Sequence, residues 1–183
     1  MNKYLNIRCV LFVNGPAETG KDTFIKYLSE MLKQRDYRVL PIFPIEKVKK
    51  AAKLLGWDGT KDELGRQFIV DLNKAWIDSG KRYEYITNKI GEYDHFTETN
   101  TIAIIQIREP MGIIEITNWC HTNGIINQKV HIESGKAKKY SNDADMGTKG
   151  CQYDYYLKNF MTGLCQFKDY VHDFKQIFLS TIK

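Results

Sequence analysis

The feature that most constrains this chain is a glycine-rich segment near its start, Gly15-Pro16-Ala17-Glu18-Thr19-Gly20-Lys21-Asp22-Thr23. The apolar run Cys9–Val13 precedes it, and Phe24–Leu32 follows with apolar side chains at helical spacing. A strand, a glycine-rich turn and a helix in this order let backbone N–H groups and a helix N-terminus hold a phosphate. The alternative, a surface turn, is disfavoured because all three parts agree. The segment predicts a nucleotide-binding loop in which Lys21 reaches the outer phosphates.

Two residues of this loop depart from the common pattern. Asp22 follows Lys21 at the position where Ser or Thr usually offers a hydroxyl to Mg²⁺. Either Asp22 holds the ion, directly or through water, or Thr23 supplies the hydroxyl one position later. Glu18 places an acid inside an anion-binding loop, so we expect its side chain to point away from the phosphates.

Composition indicates an ordinary soluble globular chain of one domain, because 183 residues contain 43% hydrophobic and 27% charged residues. The net charge of +5 favours an anionic ligand, but the lysines are spread out and indicate no specific nucleic-acid partner. No apolar stretch is long enough to span a membrane. The four cysteines and four histidines lack metal-site spacing, so we interpret them as packing or surface residues. Free thiols and the missing secretory signal favour a cytoplasmic protein. We expect it to be a monomer or a homodimer.

Strand and helix patterns alternate along the chain. Strands are predicted at Cys9–Asn14, Arg38–Phe43, Thr101–Ile107, Gln128–Glu133 and Tyr153–Lys158. Helices are predicted at Lys21–Arg35, Glu46–Leu55, Lys61–Ser79, Lys81–Ile90, Pro110–Thr122 and Gly163–Thr181. The third helix is expected to begin at a capping box, Thr60-x-x-Glu63, and to bury Leu64, Phe68, Leu72, Ala75 and Trp76. This alternation predicts an α/β P-loop NTPase fold: three layers, a five-stranded parallel sheet and a helical lobe at 46–91.

Two arginines and one polar segment have alternative interpretations. Arg108 follows the third strand, at the sheet edge where ligands bind, so it either reaches phosphate or forms a structural ion pair. Arg66 is either a solvated surface residue, which its spacing favours, or a residue facing a cleft. Residues 134–150 are polar and form either a mobile lid or a surface loop; this segment carries Lys136, Lys138, Lys139 and Lys149.

Several motifs together carry a family resemblance over most of the chain. They are Gly-Lys-Asp-Thr at 20–23, Trp-Asp-Gly at 57–59 with Lys61-Asp62 and Gly65-Arg66 after it, Ile-Arg-x-Pro at 107–110, and Tyr-Asp-Tyr at 153–155 continuing to Asn159. With them the chain resembles the P-loop nucleoside monophosphate kinases, most closely those of viruses and bacteria that act on deoxynucleoside monophosphates. The resemblance implies transfer of a phosphoryl group from ATP, with Mg²⁺, to a nucleoside or deoxynucleoside monophosphate.

The resemblance also implies roles for single residues. Gly15 to Thr23 would bind the ATP phosphates, and Asn159 would lie near the adenine. Trp57, Lys61, Arg66 and Arg82 would form the acceptor site. Arg108 would bridge the two phosphate groups and, with Lys21, neutralise the charge of the group in flight.

The chain also departs from the family pattern. Segment 134–150 contains lysines where the family's lid contributes arginines, and Pro110 is not followed by the Asn-Glu seen in relatives. Two alternatives therefore stay open beside the kinase of nucleoside monophosphates. One is a kinase of another small phosphorylated metabolite, because phosphomevalonate kinases of the animal type also resemble this loop. The other is a nucleotide-binding module without transfer activity, which Glu18 and the arginine-free segment favour.

Overall fold

A computed structural model describes residues 6–60, 62–95, 100–134, 151–160 and 163–182. The strands are β1 (Ile7–Asn14), β2 (Arg38–Ile42), β3 (Thr101–Gln106), β4 (Ile126–Ser134) and β5 (Tyr155–Asn159). The helices are α1 (Lys21–Lys33), α2 (Pro44–Leu54), α3 (Glu63–Asp78), α4 (Lys81–His95), α5 (Pro110–Thr122) and α6 (Leu164–Thr181). The predicted lid at 134–150 lies outside the described residues except for Ser134, as does Lys61.

The strands form one parallel sheet in the order β2-β3-β1-β4-β5. Strand β1 is central and pairs with β3 on one side and β4 on the other. Its apolar residues are fully buried because both faces are covered, as is usual for parallel sheets. The predicted α/β fold with a five-stranded parallel sheet is confirmed.

Two hydrophobic cores give the fold its three layers. On one face, Leu11 and Val13 of β1 pack with side chains of α1 and α6. On the other, Val10 and Phe12 pack with Ile86, Ile90 and other residues of α4 and α5. The alternation of side chains along β1 therefore feeds both cores. Helix α4 lies within the predicted helical lobe at 46–91. It packs against the sheet, and its residues Ile86 and Ile90 are completely buried in this core.

The predicted capping box of α3 is wrong. The helix begins at Glu63, and the side chain of Asp62 accepts a hydrogen bond from the Gly65 N–H at 2.7 Å, so Asp62 is the N-cap. Thr60 is engaged elsewhere, since its N–H donates to Asp58 Oδ1 and its carbonyl accepts from the Trp57 indole. Asp62, two positions after Thr60, therefore caps the helix.

The predicted apolar face of α3 is buried only in part, and the same holds for apolar residues in and after α2. Leu64 is 82% exposed and Ala75 is also exposed, whereas Gly65 is the buried residue of α3. On α2, Val48 is buried but Leu55, just beyond the helix, is 65% exposed. Leu55 and Leu64 line a groove at the junction between the two helices.

Among the described residues, no helix is long and apolar enough to cross a membrane. Cys9 and Cys120 are buried, and burial raises the pKa of the Cys120 thiol to about 12. Such thiols remain protonated at neutral pH and act as packing residues.

Candidate active site

The predicted nucleotide-binding loop, Gly15–Thr23, is called the phosphate loop below. It begins where β1 ends, in tight contact with β4. Gly15 has a φ of +139°, and a Cβ atom added to it would overlap the carbonyl oxygen of Ile132. The Gly15 N–H donates to the side-chain oxygen of Asn14 at 2.6 Å. Only glycine combines this backbone conformation with so close an approach, so Gly15 fixes the loop against the neighbouring strand.

Two further residues of the loop have a left-handed backbone. Gly20 has φ 88°, and Glu18, which is not a glycine, has φ 62° with an exposed side chain. Gly20 is the N-cap of α1, and no side chain caps the first turn among the described residues. The positive end of the α1 dipole therefore lies at the loop without a side-chain cap from Gly20. A strained backbone beside uncapped N–H groups is typical of a ligand site.

Lys21 is held inside the loop. Its side chain is 4% exposed, and Nζ donates to the Pro16 carbonyl and lies 3.4 Å from Thr19 Oγ1. The loop is braced from the far edge of the sheet, because Asn159 Nδ2 donates to the Thr19 carbonyl at 3.0 Å. The ammonium group of Lys21 thus lies within the loop, and Asn159, for which a role near adenine was predicted, contacts the loop itself.

The acidic residue of the loop contacts the neighbouring strand. Asp22 is exposed, and its Oδ1 accepts a hydrogen bond from Gln106 Nε2 at 2.7 Å, at the end of β3. Many P-loop NTPases carry an aspartate for Mg²⁺ on such a strand. Here Gln106 orients a carboxylate that belongs to the loop. A hard oxygen donor at this place suits Mg²⁺, although the described residues contain no group of three or more potential metal ligands.

Arg108 follows β3 directly and comes close to the base of the loop. Asn14 Nδ2 donates to the Arg108 carbonyl at 3.4 Å, and the side chain of Arg108 is half-buried. The strand order brings this about, because β3 and β1 are neighbours and their carboxyl ends meet at one edge. The structure therefore brings Arg108 to the same edge as Lys21.

Arg82, predicted to bind the acceptor, has a protein partner. Its guanidinium forms an ion pair with Glu109 at 2.8 Å, and the side chain is 8% exposed. Glu109 also accepts from Asn73 Nδ2 at 3.0 Å and from the Arg108 N–H at 3.3 Å. One carboxylate thus joins α3, α4 and the segment that carries Arg108. Glu109, the neighbour of Arg108, therefore forms a structural ion pair with Arg82.

The Arg82–Glu109 pair predicts a pH-dependent stability. Burial alone raises the pKa of Glu109, but the charge and hydrogen bonds of Arg82 outweigh it and lower the pKa below its usual value. The pair therefore stabilises the protein above the unfolded pKa, and that stability is lost as the pH falls through the folded value. We expect Glu109→Gln to cost about 2–4 kcal/mol near neutral pH, because it leaves a buried arginine unpaired. Urea unfolding should show the difference from wild type shrinking as the pH falls below about 4.

An exposed pair on the same helix supplies the control. Glu84 pairs with Lys81 at 2.8 Å, and both side chains are more than half exposed. Glu84→Gln is expected to change the unfolding free energy by less than about 1 kcal/mol at any pH. Equal effects of the two substitutions would contradict the assigned role of Glu109.

The Trp-Asp-Gly motif forms a compact turn ahead of α3. Trp57 Nε1 donates to the Thr60 carbonyl at 3.1 Å. A Cβ atom on Gly65 would lie 2.6 Å from Thr60 O and 2.9 Å from Trp57 Nε1, so a glycine is required there. Arg66, which follows Gly65, is exposed. The turn borders an open groove of about 340 Å³ that also includes Phe68.

The predicted site residues therefore form two groups. The loop, Arg108 and Asn159 meet at the carboxyl edge of the sheet, whereas Trp57 and Arg66 lie at the α2–α3 junction, with no described contact to the loop. Sequence reasoning missed several residues at or beside the site: Asn14, Gln106, Glu109 and His131. For Asn14 and Gln106 the available signal was their position at the carboxyl end of a strand.

Comparisons with known proteins agree on the fold. No protein-family model matches the sequence, and no curated protein matches it. Among solved structures, the protein APE1195 is 12% identical with a TM-score of 0.56, over 98% of this chain and 99% of that one. A protein of Chloroflexus aurantiacus is 11% identical with a TM-score of 0.51, over 94% and 98% of the two chains.

A third similar structure was solved with ligands bound. The APS kinase CysC of Mycobacterium tuberculosis, solved in complex with AMPPNP and APS, is 8% identical with a TM-score of 0.50, over 90% of this chain and 95% of that one. At such identities the likeness shows the fold and not the activity. The chain thus has an α/β fold similar to that of a P-loop kinase, with its own glycine-rich loop at the carboxyl edge of the sheet.

Proposed function

We propose that the protein transfers the γ-phosphoryl group of ATP to the phosphate of a nucleoside or deoxynucleoside monophosphate. The observation that carries the proposal is the uncapped start of α1 inside a strained loop, with the ammonium group of Lys21 buried in it. Such a loop suits an anion with several phosphates, because the backbone N–H groups and the lysine both favour negative charge.

Binding of the donor requires a short movement of Lys21. In the structure described here Nζ rests on the Pro16 carbonyl and near Thr19 Oγ1, and both are weaker partners than a phosphate oxygen. The loop backbone then holds the phosphates while Lys21 neutralises charge on the group being transferred. Phosphoryl transfer depends on such positioning more than on a protein nucleophile.

Asp22 is the proposed Mg²⁺ ligand, with Thr23 beside it. When bound, Mg²⁺ neutralises phosphate charge. We expect Asp22→Asn to raise the Mg²⁺ concentration needed for half-maximal activity by at least about tenfold, because the amide has lost the charge that attracts the ion. Magnesium titrations of ADP release provide the measurement.

Glu18→Gln is the matched control for this prediction. It removes the same charge from the same loop, but the Glu18 side chain is exposed and has no assigned contact with the ion. Its magnesium requirement should equal that of the wild type. An unchanged requirement in Asp22→Asn would remove Asp22 from the proposed site.

The acceptor side of the proposal rests on positive charge. Arg108 lies at the same sheet edge as the loop and is the proposed bridge between donor and acceptor phosphates. Arg66, Lys61 and Trp57 complete the proposed acceptor site, for which the family resemblance is the support. Arg82 would join them only by giving up its bond with Glu109.

Arg82 and Arg66 therefore differ in their contacts, because Arg82 is already paired with Glu109. The exposed guanidinium of Arg66 is accessible without breaking a described contact. We propose Arg66 as the stronger candidate for the acceptor phosphate and Arg82 as the residue that holds Glu109.

The test is a panel of acceptors in an assay of ADP release with MgATP. The panel contains the common ribonucleoside and deoxyribonucleoside monophosphates and, separately, phosphomevalonate. Transfer to a nucleoside monophosphate, detected as the diphosphate product, supports the proposal. Transfer only to phosphomevalonate moves the assignment to a kinase of small phosphorylated metabolites, and ATP binding without any transfer indicates a nucleotide-binding module.

A further inference from the structure

A buried histidine lies next to the phosphate loop on the side opposite Arg108. His131 belongs to β4 and pairs in register with Asn14, the last residue of β1. The following residue, Ile132, is the one whose carbonyl lies against Gly15. The sheet therefore fixes the backbone of His131 beside the base of the loop, and its side chain is only 3% exposed.

The surroundings of this imidazole leave one nitrogen open to a proton. Nε2 lies 3.5 Å from a carboxylate oxygen of Glu133. The rings of Tyr153 and Tyr156 lie against the imidazole, with centroid distances of 4.7 Å and 6.0 Å. Nδ1 is buried and has no hydrogen-bond partner among the described residues. Among the described residues, no group donates a hydrogen bond to Nδ1, so this nitrogen can accept a proton. The carboxylate of Glu133 lies close enough to stabilise the imidazolium that would form.

In the free protein these influences favour the neutral imidazole. Burial lowers the pKa of His131, Glu133 raises it, and the positive charge of Lys21 lowers it further, with a net pKa below the usual value. A polyphosphate at the loop neutralises Lys21 and adds negative charge on the same side. One unit of negative charge shifts a pKa by about one unit at roughly 10 Å in a protein-like dielectric.

We infer that His131 is a proton-coupled member of the nucleotide site, which takes up a proton from solvent when a polyphosphate binds to the adjacent loop. This inference rests on the proposed function, because it needs a polyphosphate bound at Gly15–Thr23. His131 acts as a positioning residue through charge: once protonated, it adds a second positive group beside Lys21. The nucleotide affinity of the protein therefore increases as the pH falls through the pKa that His131 has in the complex.

The test measures the protonation of His131 directly in the wild-type chain. The imidazole Cε1–H signals of the four histidines are followed by NMR from about pH 4.5 to 8.5, with and without MgATP. This range extends below the ordinary histidine pKa because the pKa of His131 in the free protein is lowered. The His131 signal is the one missing in His131→Gln. We expect MgATP to raise its pKa by one unit or more and to leave the signal of His172, which is exposed on α6, unshifted.

The affinity for ATP provides the second measurement. Each unit by which ATP raises the pKa of His131 tightens binding by up to about tenfold on going from high to low pH. His131→Gln should remove that part of the dependence, whereas His172→Gln should keep it. The protons of ATP itself contribute equally to all three proteins and cancel in the comparison.

A variant with an exposed side chain keeps the test valid if His131→Gln does not fold. Glu133 is 47% exposed, and Glu133→Gln should lower the pKa of His131 both with and without ATP. ATP binding that leaves the pKa of His131 unchanged would overturn this inference and leave the proposed function intact. No ATP binding at any pH would overturn both.

Discussion

Lys21→Ala is expected to lower kcat/KM for phosphoryl transfer by roughly a thousandfold, because it removes the full positive charge that meets the transferred group in a water-poor site. The structure gives this lysine an unusual position for a charged residue, since it is 4% exposed and lies within its own loop. ADP release with the best acceptor of the panel measures the effect. Circular dichroism of the variant should match the wild type, because α1 is held by Phe24, Leu28 and Leu32.

Lys26→Ala is the control for this substitution. Lys26 stands on the same helix with an exposed side chain, so its removal changes the net charge equally without touching the loop. It should retain nearly full activity. Full activity of Lys21→Ala would refute the assignment of the loop as a site of phosphoryl transfer.

Gly15→Ala is expected to have the largest effect on stability. A side chain at φ +139° costs about 1–2 kcal/mol, and the overlap of its Cβ with the Ile132 carbonyl adds about 1–3 kcal/mol more. Neither partner moves easily, because Ile132 belongs to the paired strand β4 and Gly15 directly follows Asn14, which pairs with β4. Urea unfolding followed by circular dichroism should show a loss of roughly 2–5 kcal/mol, a large share of a typical domain's stability.

Gly80→Ala separates the two causes. Gly80 also has a positive φ, +71°, but a Cβ atom there would meet nothing within 4 Å. Its replacement should show the backbone cost alone, about 1–2 kcal/mol. If both alanines cost the same, the contact between the loop and β4 does not constrain Gly15.

The fold was predictable because its signals are local and repeated. Apolar β-branched runs such as Thr101–Gln106 are buried strands, and the periodic side chains of α1 and α6 cover them. The loop was predictable for the same reason, since the glycines, Lys21 and α1 are consecutive in the chain. The predicted start of α3 was wrong because Thr60 and Asp62 are both residue types that cap helices, and Asp62 is the N-cap.

The supporting contacts of the site were not predictable from the sequence. The bond of Arg82 with Glu109 depends on how α4 packs against α5, and no spacing rule relates residues 27 positions apart. The place of His131 depends on the register of β4 against β1. A lone histidine in a strand has no pattern of its own, and the position of His131 beside Asn14 is known only from that register.

The hydrogen bond between Asn159 and the Thr19 carbonyl can form only late in the synthesis of the chain. It joins residues 140 positions apart, and Arg8 is similarly bonded to the Ile182 carbonyl, 174 positions away. A ribosome-bound chain therefore emerges with its glycine-rich segment long before the groups that brace it. We expect ATP to protect nascent chains from proteolysis only after residues beyond Asn159 have left the ribosomal tunnel, so that the ligand stabilises the finished protein and does not guide its early folding.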